Sequence, residues 1–166
     1  MVNLMKVFVL IPGLLFSVQA FAQGAQSSDC TQLIESVRLP TDGKSISSEN
    51  TLDGRVFYKI IVRGTYEKED IGSGDAQYAF NSKQDNAYNR CGNSMNGLLF
   101  GVELNTGVGE PKSPDWGPFN PKHVYTLEIV GRDKKLGLRF QDCRVLVNKG
   151  SLMVDIFKCN RREPIR

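Results

Sequence analysis

VYTLEIVGRDKKLGLRFQDCRVLVNKGSLMVDIFKC, residues 124–159, is the stretch that decides the fold. Apolar and polar side chains alternate over residues 125–130, 136–140 and 152–157. Alternation with a period of two, in segments rich in Val, Ile, Tyr and Phe, is typical of strands that bury one face. The pattern predicts three strands whose buried face consists either of the following residues or of those that alternate with them: Tyr125, Leu127, Ile129, Leu136, Leu138, Phe140, Leu152, Val154 and Ile156.

The two connections between these strands differ in length. Residues 131–135 are short enough to predict a hairpin between the first two strands. Residues 141–150 form a longer connection that is polar at both ends, and we expect it to close a second hairpin. Because binding residues are commonly placed on loops of a rigid scaffold, this longer loop is a candidate functional site.

Earlier parts of the chain carry further strand patterns. Strands are predicted at residues 33–39, 55–66, 76–80 and 98–104. Gly64 falls inside the second of these and indicates a bulge or a close backbone approach. Residues 41–50 are rich in Ser, Asp and Gly, so they form either a loop or an edge strand. Seven or eight short strands without a helical pattern predict an all-β fold, a β-sandwich.

The beginning of the chain has the features of a secretory signal peptide. Lys6 precedes a short apolar run, and an Ala-Phe-Ala cleavage motif ends at residue 22. We expect a secreted, extracellular protein with a polar lead-in at residues 23–32, one sandwich domain at 33–159 and a basic tail at 160–166. No second long apolar run follows, which predicts no membrane span. Because the 21 basic and 18 acidic residues are mixed along the chain, a nucleic-acid partner is not expected.

Four cysteines follow the signal peptide, and an even number in an exported protein predicts disulfides. Cys143 and Cys159 would lie at opposite ends of the expected last hairpin, which argues against their pairing. Because the ends of a domain usually lie close together, Cys30 is expected to pair with Cys159, which leaves Cys91 for Cys143. A metal site is the weaker alternative, since no CxxC spacing occurs and His123 is the only histidine.

Residues 67–96 are acidic at first and then rich in amides, which is typical of a binding loop or of a plain surface excursion. A triad enzyme is not expected, since the chain has one histidine and no G-x-S-x-G motif. The acidic cluster of this segment offers carboxylates for glycoside hydrolysis, although such loops more often bind calcium or water. We therefore predict that the protein is not an enzyme. The cluster consists of Glu67, Glu69, Asp70 and Asp75.

Two further pairs of residues each have two interpretations. Trp116 and Phe119 lie in a proline-rich segment and either cover the core or form an apolar platform for a sugar ring. Asp142 and Asn148, in the long loop, offer oxygens to calcium or cap turns.

Several segments together resemble the PA-IL-like family of galactose-binding lectins. They are YKIIVRGTY, WGPFNPKHVYTLEIVGRDKKLGLRFQD and NKGSLMVDIFK, and the resemblance extends over residues 33–158. It implies a small jelly-roll sandwich that binds galactose through a bridging calcium ion. It also implies calcium ligands at Asp142 and Asn148 and a backbone carbonyl ligand near Glu67 or Lys68.

The loop departs from the family pattern in two ways. Val147 stands where the family has an oxygen donor, and Lys149 adds a positive charge nearby. Both changes predict weakened calcium affinity, because affinity follows the number and charge of the oxygens. The resemblance further implies sugar contacts from the excursion, and the candidate ligand-binding residues are Asp75, Asp85, Asn86, Asp142 and Asn148.

Two functions follow from the sequence. The first is a secreted carbohydrate-binding, lectin-like module whose partners are glycans or glycoproteins, with reduced dependence on calcium. The second is a secreted structural or extracellular-matrix protein that keeps the sandwich without sugar binding, which the substitution at Val147 favours.

Overall fold

A computed structural model describes residues 29–68, 72–81, 101–107, 113–142 and 148–160 of the chain. These residues form eleven antiparallel strands. No helix among them has the length and hydrophobicity needed to cross a membrane. In chain order the strands are β1 (Asp29–Pro40), β2 (Ile46–Leu52), β3 (Phe57–Arg63), β4 (Tyr66–Lys68), β5 (Gly72–Gly74), β6 (Ala79–Phe80), β7 (Gly101–Asn105), β8 (Val124–Val130), β9 (Lys134–Gln141), β10 (Asn148–Lys149) and β11 (Ser151–Asn160).

The strands form three sheets. Sheet A has the order β1-β11-β3-β8, sheet B the order β2-β9-β7, and sheet C the order β10-β4-β5-β6. Sheet C lies at the end of sheet A where β3 stops and β11 starts, because β4 continues from β3 and β10 leads into β11. It therefore combines the beginning of the polar excursion with the end of the long loop.

Inward side chains of sheets A and B form a single hydrophobic cluster. All nine predicted core residues belong to this cluster or pack against it, with Leu127 and Ile129 only partly buried. Each buried aliphatic side chain contributes about 1.5–3 kcal/mol to folding. The predicted all-β sandwich is confirmed as the fold class.

The outer face of sheet A carries an ion pair that joins three of its strands. The Asp155 carboxylate on β11 accepts hydrogen bonds from Ser36 Oγ on β1 at 2.6 Å and from Arg63 Nε on β3 at 2.8 Å. Burial alone raises the pKa of Asp155, but these two donors outweigh burial and hold the pKa below its ordinary value. The carboxylate form is therefore the one that stabilises the sheet.

Both predicted hairpins are wrong. Strand β8 pairs with β3 in sheet A, whereas β9 pairs with β2 and β7 in sheet B, and β11 returns to sheet A. The short connection between β8 and β9 is instead hydrogen-bonded to residues 52–56, where β2 ends and the chain turns into β3. Gly131 N donates to Val56 O and Asp133 N donates to Leu52 O, each at 2.8 Å. These bonds turn the chain from one sheet to the other.

Other strand predictions need smaller corrections. The strand predicted at residues 55–66 breaks at Gly64, which has a φ of 103° and donates its N–H to His123 O at 3.0 Å. Residues 46–52 form β2 at the edge of sheet B, so the edge-strand alternative is correct there. Of the strand predicted at residues 76–80, only Ala79–Phe80 is a strand.

The predicted disulfide between Cys30 and Cys159 is present and joins the start of β1 to the end of β11. The signal peptide, the Cys91–Cys143 pairing and the residues Asp85, Asn86 and Val147 lie outside the described residues. Predictions about these parts of the chain stay predictions.

Candidate functional site

Sheet C has two faces of different character because neighbouring residues of a strand point to opposite sides. Lys149 on β10 lies opposite Glu67 on β4, and Glu67 lies opposite Ser73 on β5. These three residues therefore share the outer face, where Lys149 and Glu67 are exposed. Asn148 lies opposite Lys68, and this pair is buried on the inner face.

An open groove of about 590 Å³ runs along the outer face of sheet C. Among its lining residues, Glu67 and Ser73 belong to the candidate segment 67–96, and Lys149 and Gly150 belong to the candidate loop 141–150. Its chemistry is mixed: the Glu67 carboxylate accepts hydrogen bonds, the Lys149 ammonium donates them, and the Thr65 and Ser73 hydroxyls can do both. The lining residues are Thr65, Tyr66, Glu67, Ser73, Lys149 and Gly150.

A charged cluster is buried beneath the groove. Lys68 Nζ donates to Asp142 Oδ2 at 2.6 Å, and the two side chains are 4% and 0% exposed. Asn148 Nδ2 donates to the same oxygen at 2.7 Å and to Thr41 O at 3.2 Å. Because Asp142 and Asn148 stand at the two ends of the long loop, the cluster ties these ends together and to β4.

The two predicted calcium ligands, Asp142 and Asn148, are thus brought together. However, the Lys68 ammonium lies in hydrogen-bond contact with the carboxylate that calcium would need. The described part of the chain also contains no group of three or more acidic, His or Cys side chains arranged to hold a metal ion. Calcium requires six to eight oxygen ligands. A calcium ion at this carboxylate would also be repelled by the positive charge of the Lys68 ammonium. The described residues therefore fit the ammonium and do not fit calcium.

Asp75, another predicted ligand-binding residue, is completely buried. Its Oδ1 accepts the backbone N–H groups of Gln77 at 3.0 Å and Tyr78 at 2.9 Å. Its Oδ2 accepts the Tyr125 hydroxyl at 2.8 Å and lies 2.9 Å from His123 Nδ1. The carboxylate thus holds the 75–78 turn against the start of β8, and a ligand would have to displace these partners.

The partners of Asp75 are fixed in turn by their surroundings. Burial, with a contribution from the Asp75 carboxylate, raises the pKa of the Tyr125 phenol well above its usual value, so the hydroxyl remains a donor. The His123 ring stacks on Phe80 with centroids 4.8 Å apart, and Phe119 meets it edge-on at 5.8 Å. The His123 backbone has a φ of 52°, an uncommon value that turns the chain into β8.

Trp116 belongs to the core. It is 6% exposed, and its indole N–H donates to Val102 O at 3.1 Å. This position favours the core interpretation over a sugar platform. Phe119 is half-buried and packs against Tyr78, Phe80 and His123.

No family model, no curated protein and no solved structure matches this chain. The resemblance to galactose-binding lectins therefore stays a prediction from its motifs. What the described residues contribute is a polar groove on sheet C above a buried Lys68–Asp142–Asn148 cluster.

Proposed function

We propose that this protein is a secreted carbohydrate-binding, lectin-like module that holds a glycan in the groove of sheet C without calcium. The observation that supports this most is the row of Lys149, Glu67 and Ser73, one on each of three adjacent strands. Every sugar hydroxyl is both a donor and an acceptor, so neighbouring hydroxyls match a surface that alternates these roles. Above this row the groove offers about 590 Å³ of open space.

Rigidity of the groove supports the same proposal. Backbone pairing fixes the spacing of Lys149 and Glu67, and the buried cluster beneath fixes β10 against β4. A surface already held in its binding geometry loses little conformational entropy when a ligand binds. This matters for glycans because their contacts are individually weak.

Secretion is supported by the signal-like start of the chain and by the Cys30–Cys159 disulfide. Structural disulfides persist mainly in oxidising compartments such as the extracellular space. Such a location would bring the groove into contact with cell-surface or secreted glycans.

The test is a broad glycan array probed with the mature protein, once with calcium and once with a chelator. We expect binding to galactosides that chelation leaves unchanged. Glu67→Gln and Lys149→Met each remove one charged hydrogen-bonding group and should weaken binding about tenfold or more. Glu49→Gln is the matched control, because Glu49 is an exposed carboxylate on β2 of sheet B.

The alternative is a secreted structural or extracellular-matrix protein that does not bind sugar. The outer face of sheet A favours it, since Leu33, Val124 and Val130 point outward there and are 52%, 38% and 37% exposed. These side chains lie on the two edge strands of that face, β1 and β8, where they offer apolar contact points to another macromolecule. A folded protein that binds no glycan, with or without calcium, would replace the first function with this one.

A further inference from the structure

Strand β8 forms one edge of sheet A within the described residues, and both of its faces are incompletely covered. Every second residue from Val124 to Val130 is exposed on the outer face. On the inner face, Leu127 and Ile129 are only partly buried, although they continue the alternation of the core. An exposed sheet edge of this kind is a template for pairing with another strand.

The other edge strands of sheets A and B are irregular or short. Strand β1 has two register shifts against β11, and its Glu35 carboxylate accepts hydrogen bonds from the backbone N–H groups of Glu49 and Asn50. Strand β2 has a register shift against β9, and β7 has only five residues. Strand β8 pairs with β3 over seven consecutive residues without a shift, and its sequence VYTLEIV contains no Pro, Gly or Lys. The devices that protect sheet edges are therefore missing from β8 itself.

The backbone bonds at the two ends of β8 show which of its groups point away from β3. Gly64 N donates to His123 O at 3.0 Å, and Gly131 N donates to Val56 O at 2.8 Å. In an antiparallel pair the direction of these groups alternates along the strand. The odd-numbered residues of β8 therefore direct their N–H and C=O groups to β3. The groups that point to the outer edge belong to residues 124, 126, 128 and 130.

We propose that β8 pairs with β8 of a second copy of this chain, antiparallel about a two-fold axis at Leu127. The pairing joins two four-stranded sheets A into one continuous sheet of eight strands. Each outward-pointing backbone group then lies opposite another one. The facing residues are Val124 with Val130, Tyr125 with Ile129, Thr126 with Glu128, and Leu127 with Leu127.

This register matches the exposed side chains of β8 to each other. Val124 and Val130, which are 38% and 37% exposed, cover one another on the outer face. On the inner face Leu127 meets its own copy, which completes the core at this edge. Antiparallel pairing permits shifts of two residues only, and either shift separates the two valines. One of these shifts also places Glu128 opposite Glu128, and like charges in that position are destabilising.

The proposal does not depend on glycan binding, because it concerns only the association of two copies through sheet A. A single strand pair is smaller than a standard protein interface of about 1,600 Å², so the dimer should be reversible. We expect a dissociation constant on the order of 10 µM.

Analytical ultracentrifugation of the mature protein from about 1 to 500 µM measures this equilibrium. The mass should rise from that of one chain to that of two. Thr126→Pro should remain monomeric, because proline removes a backbone N–H that points to the outer edge and keeps the bonds to β3. Circular dichroism shows whether this variant is folded.

A pair of charge variants tests the register. Val124 and Val130 are six residues apart and therefore about 20 Å apart within one strand, so they interact only between copies. The double variant Val124→Lys with Val130→Lys places like charges opposite each other and should raise the dissociation constant about tenfold or more. Val124→Lys with Val130→Glu should restore dimers. Leu33→Lys is the matched control, since Leu33 is exposed on β1 at the other edge of the same sheet, and it should leave dimerisation unchanged.

Three results would overturn the proposal: a protein that is monomeric at every concentration in this range, dimers that persist in folded Thr126→Pro, or a Lys–Glu variant that associates no better than the Lys–Lys variant. If Thr126→Pro does not fold, the charge variants decide, because both substituted positions are exposed in the single chain.

Discussion

Substitution of Asp75 by alanine should be among the most destabilising single changes in the described part of the protein. The carboxylate has no exposed surface and is bonded to four groups from two parts of the chain. Alanine removes the acceptor and leaves all four partners in place. Two of them are backbone N–H groups and one is a buried phenol, so each loses a partner that water cannot easily replace.

The size of the effect follows from these contacts. Hydrogen bonds to charged groups contribute about 1.5–3 kcal/mol each, so a simple sum for four would be roughly 6–12 kcal/mol. Such sums overestimate the loss, because bonds within one network are not additive and water enters the cavity. Removal of one member of a buried charged network costs about 3–5 kcal/mol. We therefore expect Asp75→Ala to lose about 4 kcal/mol.

Urea denaturation followed by tryptophan fluorescence measures this loss, and the same change should lower the melting temperature by roughly 12 °C in a domain of this size. Asp75→Asn is the informative partner variant. Its amide oxygen can still accept from Gln77 and Tyr78, so it should lose only about half as much. A loss below about 1 kcal/mol for Asp75→Ala would refute the conclusion that this carboxylate holds the 75–78 turn against the start of β8.

Three further predictions concern stability. Because the pKa of Asp155 is lowered by folding, its contribution is present above the unfolded pKa near 4 and is lost as pH falls through the folded value. Asp155→Asn should therefore lower the free energy of unfolding by about 1–2 kcal/mol at pH 7. In urea denaturation, the midpoints of this variant and of the unsubstituted protein should converge below about pH 4. Replacement of Cys30 and Cys159 by serine opens a loop of sequence separation 129, for which chain entropy predicts a loss of up to about 5 kcal/mol in urea denaturation. Gly131→Ala would place a methyl group against the Asp53 carbonyl oxygen and should lower the melting temperature by roughly 6 °C. An unchanged melting temperature would contradict the close approach of Gly131 to Asp53.

Local patterns in the sequence predict the strands of this fold but not their partners. Alternation of apolar residues indicates which face of a strand is buried, and the predicted core is correct for that reason. The same alternation does not indicate which strand lies next to it in the sheet. The short connection at Gly131 is compatible with a hairpin and with a crossing between sheets. Its bonds to Leu52 and Val56, about 80 positions away, decide between the two.

The same distinction applies to the site. Alternation continues past Gly64, with Tyr66 inward, Glu67 outward and Lys68 inward. An inward lysine is uncommon and indicates a buried counter-charge, so this signal for Lys68 is legible in the sequence. Its partner Asp142 lies 74 positions away, and no spacing rule connects the two.

The position of Asp75 in its network is equally non-local. Its contacts to His123 and Tyr125 span 48 and 50 positions. Sequence reasoning identifies Asp75 as a polar residue in a loop and therefore as a ligand candidate. Only the fold brings it to the start of β8, where its oxygens are taken up by the protein itself.

The disulfide and the groove lie at opposite poles of the fold. Strand β11 starts beside Gly150 at the groove, and its ten residues, which span about 33 Å, end next to Cys159. The chain also enters the described fold at Asp29, opposite Asn160, at the disulfide pole. A tag, a surface anchor or a second domain attached next to Asp29 or Asn160 would therefore leave the groove facing away from the attachment point. Immobilised copies would present their grooves in one common direction, which is the geometry that multivalent capture requires.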